Sequence, residues 1–194
     1  MRIIGLTGGI GTGKSTVSNH LANVHKFPVL DADIYARVAV QPGSVILNQI
    51  AERYGVGILL PDGTLNRRHL GEIVFNNLVE RQWLEQQIHP YVRDRLIADL
   101  NSISTQYPTV VLVVPLLFEA GMTDLVTEIW VVYCSQKQQL ERLIKRDLIT
   151  LEQAQLRINS QMSIEEKCNQ ADVILNNSST VDALLQQIDL AVIS

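Results

Sequence analysis

Cysteine is scarce in this chain, and that scarcity closes several options. Cys134 and Cys168 are the only two, too few and too far apart for a disulfide framework or a zinc site. Cys134 ends an apolar run and reads as a small core residue. Positive charge is not in excess either. A net charge of −4 argues against a general affinity for nucleic acid backbones, although it leaves room for a local basic site. No apolar stretch is long enough to span a bilayer. The first residues read as a strand rather than a leader peptide. No internal repeat and no low-complexity tract is present. These shortages favour a cytosolic protein with neither a membrane nor a nucleic acid partner. What remains is ordinary for a globular protein: 46% apolar and 19% charged residues. The 194 residues suffice for one well-packed domain with small elaborations.

One stretch carries chemistry unmistakably. Gly8-Gly9-Ile10-Gly11-Thr12-Gly13-Lys14-Ser15 reads G-x-x-x-x-G-K-S, the phosphate-binding loop pattern. An apolar run, Ile3–Leu6, precedes it, and a helical pattern through Val17, Leu21 and Val24 follows. That strand–loop–helix context is what the pattern requires. Glycines let successive backbone N–H groups turn toward a polyphosphate without side-chain clash. A helix opening at Gly13 or Lys14 aims its positive end at the same phosphates. Gly11, Thr12, Gly13, Lys14, Ser15 and Thr16 are therefore the expected nucleotide contacts. Lys14 reaches the β and γ groups, and the Ser15 hydroxyl is the expected Mg²⁺ ligand.

Five short runs rich in Val and Ile read as buried strands: Ile3–Leu6, Pro28–Leu30, Val110–Val114, Ile129–Tyr133 and Val173–Leu175. They lack clean alternation, which suits a parallel sheet covered on both faces. Helical patterns lie between them, so the expected fold is α/β, a doubly wound five-stranded parallel sheet. The gap before the third run is far longer than one crossover helix needs. Within it we expect a turn at Pro61-Asp62-Gly63, a helix from Arg67 capped by Asn66, a second over about Leu78–Ile88, and a third starting at Pro90. Residues 36–107 thus read as a helical insertion. Ser135, Thr150 with Gln153, and Ser163 with Glu166 are expected helix caps. They divide residues 138–167 into short helices, basic on one side. The expected core is then 1–35, 108–137 and 168–194.

In such sheets, ligands bind at the carboxyl ends of the strands. Asp31 and Asp33 follow the second strand and should reach that edge. Asp33 is the candidate general base for a hydroxyl attacking a γ-phosphate; both aspartates also suit the start of a helix. Arg37 lies one helical turn beyond Asp33 and either orients it, meets substrate or forms a surface ion pair. Arg142, Arg146 and Arg157 read as a set on a mobile cover, where fixed guanidinium groups stabilise a moving phosphoryl group. Pro115 stands where many phosphate-loop proteins place an aspartate, and Glu119 comes four residues later, so the metal shell is only partly specified. Leu117 and Phe118 read either as an apolar wall for substrate or as core. His89 before Pro90 is either a capping residue or an acceptor contact.

These residues together resemble the dephospho-coenzyme A kinase family along almost the whole chain. The matching pieces are Gly5–Thr16, Asp31-Ala32-Asp33 with Arg37, Pro42-Gly43, Leu65-Asn66-Arg67 and Ile88-His89-Pro90. Val114–Glu119, Arg142, Arg146-Asp147, Arg157-Ile158 and Gln161-Met162 complete the series. The resemblance implies a phosphate-loop kinase fold whose insertion (36–107) holds the acceptor and whose lid (138–167) closes over ATP. It implies Mg²⁺-ATP-dependent phosphorylation of the ribose 3′-hydroxyl of dephospho-coenzyme A, the last step of coenzyme A synthesis. Asp33 would be the base, Lys14 the γ-phosphate clamp and Arg142 the lid arginine, with Arg37, His89 and Phe118 on the acceptor side. The expected partners are these two small molecules, in a monomer or small homo-oligomer. One departure is Asn176-Asn177-Ser178, without the family's frequent glycine beside adenine.

Three rivals stand against this reading. A GTP-dependent switch should carry an Asn/Thr-Lys-x-Asp motif, which is absent. A nucleoside or nucleoside-monophosphate kinase would differ only in its acceptor pocket. A nonenzymatic ATP-binding module would need neither Asp33 nor the arginines.

Overall fold

The computed structural model describes residues 1–193. Five strands form one parallel sheet: β1 (Arg2–Gly8), β2 (Val29–Asp31), β3 (Thr109–Val113), β4 (Glu128–Tyr133) and β5 (Val173–Asn176). Their order is β2-β3-β1-β4-β5, with Leu6 in register with Val113 on one side and Trp130 on the other. The central strand β1 is buried from Ile4 to Gly8, which is why its sequence shows a continuous apolar run and no alternation. The chain leaves β1 toward β2 on one side and returns to place β4 on the other. That reversal opens a crevice at the carboxyl end of β1, between the β1 and β3 loops.

The chain divides into two compact units, Met1–Asp31 with Asp99–Ser194, and Ala32–Ala98. In the first, α1 (Lys14–Asn23) and the last helix α9 (Val181–Ile193) cover the sheet. Val17, Leu21, Leu184 and Ile188 join Ile4, Leu6, Val111, Val113, Trp130 and Val132 in one apolar cluster. Three short helices precede β5: α6 (Gln136–Asp147), α7 (Leu151–Asn159) and α8 (Ile164–Cys168). Each opens on a complete capping box, at Ser135, Thr150 and Ser163. The breaks between them are therefore written locally, by a hydroxyl bonded to the third N–H of each helix.

The second unit contains α2 (Ala32–Ala39), α3 (Val45–Tyr54), α4 (Arg67–Asn76) and most of α5 (Leu78–Ile103). Leu47, Ile50, Ile58, Leu65, Leu70 and Val74 form its core. Asn66 caps α4 as expected, accepting from the His69 N–H. The Pro61-Asp62-Gly63 turn closes between Leu60 and Thr64 with Gly63 at φ 79°. At its surface Glu80 accepts from Arg53 and Tyr54, and the Arg53 guanidinium lies 4.6 Å above the Trp83 ring. These donors hold the Glu80 carboxyl down to about 2. Burial, then the Glu80 contact, pushes the Tyr54 phenol up to about 12.

One expectation fails here. Pro90 does not begin a helix; it lies inside the single helix α5. Proline removes the bond to the carbonyl four residues back, here that of Gln86. Pro90 and Gln86 are both exposed, so water can serve that carbonyl and the helix continues.

Candidate active site

The loop after β1 is built as its glycines demand. Gly8, Gly11 and Gly13 have φ of 144°, 78° and 105°, values that side chains rarely adopt. A Cβ on Gly13 would stand 2.2 Å from the Asn177 amide nitrogen, and one on Gly8 2.5 Å from the Val132 carbonyl. Gly13 is the N-cap of α1 and provides no side-chain cap. The uncapped helix start thus offers its dipole to an anion, while the Thr16 N–H turns back to the Gly13 carbonyl at 3.0 Å. This arrangement fits a polyphosphate.

Side chains from distant segments hold the loop from outside. Gln139, on α6 and only 2% exposed, donates to the Ile10 carbonyl. Gln161 accepts from the Ile10 N–H. Asn177 donates to the Thr12 carbonyl at 2.8 Å. Arg142 donates to the carbonyls of Gly11, Thr12 and Asn177. In a trans peptide the C=O and the next N–H point in opposite directions. Pinning the Ile10 and Thr12 carbonyls outward therefore turns the Gly11 and Gly13 N–H groups inward. Gln139, Gln161 and Asn177 brace the loop; sequence reasoning assigned no role to Gln139, and it placed Gln161 in a matching piece and Asn177 in the departing turn without assigning either to the loop. Gln139 and Asn177 are buried and Gln161 half-buried, and burial is not legible without the fold.

The other expected contacts are placed as follows. Lys14 donates to the carbonyls of Gly8 and Gly9, both at 2.9 Å, and so spans the loop. Thr12 is fully buried and its hydroxyl bonds the Gly9 carbonyl, so that hydroxyl braces the turn. Ser15 is exposed at the start of α1 and Thr16 half-buried. Positive charge gathers here: burial pushes the Cys134 thiol up, while Arg142 and Lys14 pull it down. Arg146 and Arg157 lie on α6 and α7. Both bind Asp147, which they hold below its usual range.

Behind β3, Pro115 and Phe118 enter a tight turn. The Pro115 carbonyl accepts from Thr7 and from Lys167. Lys167 is fully buried and paired with Glu119 at 2.9 Å. Glu119 also accepts from the Met162 N–H. It thus ties the segment before α8 to the turn after β3. Phe118 is half-buried in that turn. Asp31 ends β2 in register with Val113, at the carboxyl edge.

In the helical unit, Asp33 and Arg37 are exposed and one turn apart on α2. Arg67 donates to the Arg37 carbonyl at 3.5 Å. Burial, then the charge of Arg37, lowers the Arg67 guanidinium. His89 is half-buried in the middle of α5, not between two helices.

A five-stranded parallel sheet with a phosphate loop after its central strand is the fold of a phosphate-loop nucleotide-binding protein. Residues 2–183 match the dephospho-CoA kinase family. The chain is 61% identical to dephospho-CoA kinase of Nostoc sp., over 98% of this chain and 96% of that protein. Among solved structures it is similar to dephospho-CoA kinase of Campylobacter jejuni, with TM-score 0.72, 29% identity and coverage of 99% and 96%. It is similar to a Thermus thermophilus protein with TM-score 0.81, 32% identity and the same coverage. The chain belongs to the dephospho-CoA kinase family.

Proposed function

We infer that this kinase transfers the γ-phosphate of ATP to the ribose 3′-hydroxyl of dephospho-coenzyme A, giving coenzyme A and ADP. Family membership over nearly the whole chain is the observation that carries the reaction. The residue roles are our reading. Asp33 takes the proton of the attacking hydroxyl. The hydroxyl oxygen bonds the γ-phosphorus while the bond to the β–γ bridging oxygen breaks, and ADP leaves with that electron pair. The Gly11 and Gly13 N–H groups, Lys14 and the start of α1 at Ser15 and Thr16 hold the triphosphate. Arg142 serves the site in two ways, fixing the loop carbonyls and adding positive charge beside the moving phosphoryl group. Its three backbone contacts support the first role directly. The exposed Ser15 hydroxyl suits Mg²⁺, which when bound neutralises phosphate charge. Arg37 and Arg67 suit the phosphates of the acceptor, with His89 and Phe118 as its further contacts. Residues 36–107 are read as the acceptor-holding insertion and 138–167 as the lid. Among the described residues no helix is long and apolar enough to cross a membrane, and we place the enzyme in the cytoplasm, where ATP is drawn on for biosynthesis.

A coupled ATP assay against dephospho-coenzyme A, adenosine, AMP and GMP tests the reading. Turnover is expected with dephospho-coenzyme A. Turnover confined to a nucleoside monophosphate overturns it.

A further inference from the structure

A second cluster of chemically capable side chains lies away from the loop. His20 is in the last turn of α1, His25 just beyond it, and Asp189 on α9. Both imidazole Nε2 atoms stand 2.7 Å from the same carboxylate oxygen, Asp189 Oδ1. The rings meet edge-on, 5.5 Å between centroids at 71°. One ligating atom from each residue falls within 4.8 Å of the other two. We propose that His20, His25 and Asp189 form a binding site for a divalent transition metal of the Zn²⁺ class.

The donor set is the first argument. Two imidazoles and one carboxylate suit Zn²⁺, leaving a fourth position for water. Bond lengths of about 2.0–2.2 Å place two ligands on a tetrahedral ion about 3.4 Å apart. The 2.7 Å contacts therefore have to open by less than an ångström, within reach of side-chain rotation. A neutral ring that ligates through Nε2 carries its proton on Nδ1.

Preorganisation is the second. Val17 and Leu21 of α1 and Leu184 and Ile188 of α9 are fully buried in one cluster, so the backbones that carry the ligands are fixed. His25 is positioned by a turn that costs energy. Phe27 N–H bonds the Leu21 carbonyl, closing the helix end, with Lys26 at φ 59° where glycine is favoured. Access is the third. The imidazoles are 11% and 19% exposed and Asp189 47%, so an ion can enter from solvent. The site lies at the end of α1 opposite Gly13, with His20 about 10 Å along the helix from it and His25 beyond the helix end. It is thus separate from the transfer chemistry and would clamp α1 to α9.

The test uses the full chain without an affinity tag, titrated with Co²⁺ and Zn²⁺ by calorimetry and visible absorption. One equivalent is expected, with Zn²⁺ displacing Co²⁺ and raising the melting temperature. H25A and D189A should each weaken binding by about 100-fold or more, since even an outer partner is worth about 10–100-fold. H69A, on α4, should bind as wild type. If a variant fails to fold, wild type alone decides: substoichiometric Co²⁺ should broaden the ring signals of His20 and His25. No uptake by wild type, uptake surviving both substitutions, or broadening centred on His69 or His89 overturns the proposal, leaving the cluster a hydrogen-bonded tie.

Discussion

The phosphate loop and the Ala32–Ala98 unit are held together by different physics. The loop is backbone in special conformations, pinned by hydrogen bonds from Gln139, Arg142, Gln161 and Asn177. The helical unit is an apolar core around Ile50 and Ile58, both fully buried, with a polar tie at its surface. Hydrogen bonds have direction and decide where an N–H points. Apolar packing has little direction and decides mainly whether the unit is folded. Damage to the loop should therefore appear in catalysis, and damage to the helical core in stability.

Asp33→Asn should sharpen that contrast most, because it sits in the helical unit yet should leave its core untouched. We expect kcat to fall by about 10²–10⁴-fold, the range for losing a general base, with ATP affinity and melting temperature retained. Turnover near wild type removes Asp33 from the mechanism. Ile50→Ala is the reciprocal case. It should cost about 2–5 kcal/mol of stability by denaturant unfolding, while kcat per folded molecule stays near wild type; a large drop in kcat would blur the division.

Gly13→Ala attacks the loop itself. Its φ of 105° and the 2.2 Å approach to Asn177 leave no room for a methyl group. ATP affinity, measured by calorimetry, should fall about 10–100-fold, matching roughly 1–3 kcal/mol for a forced residue. The same strain should lower the melting temperature by only a few degrees, about 2–4 °C per kcal/mol for a chain of this size, because the sheet core lies below the loop.

The smallest effect concerns the surface tie. Glu80 is lowered from 4.5 to about 2 by Arg53 first, then Tyr54. A depressed carboxyl stabilises the fold above its unfolded value and loses that contribution as pH falls through the folded one. Wild type should therefore melt above Glu80→Gln near neutral pH, and the gap should close between about pH 4.5 and 2. Parallel melting curves across that window would show that the tie contributes nothing.

The sequence by itself determined every feature whose cause is local. The loop was legible because its glycines, lysine and serine lie within eight residues. The central strands β1, β3 and β4 were legible because burial on both faces writes an unbroken apolar run, and the caps of α6, α7 and α8 because hydroxyl and N–H are three residues apart. Pro90 misled because proline marks a helix start only on average; α5 runs through it, and Gln86, whose carbonyl loses its partner, is an exposed residue. Tertiary structure alone decided the loop's brace, the Lys167–Glu119 pair and the His20–His25–Asp189 cluster. Gln139 meets Ile10 across 129 positions and Asn177 meets Thr12 across 165. Such partners share no spacing or period, and only a folded sheet brings them within hydrogen-bond reach.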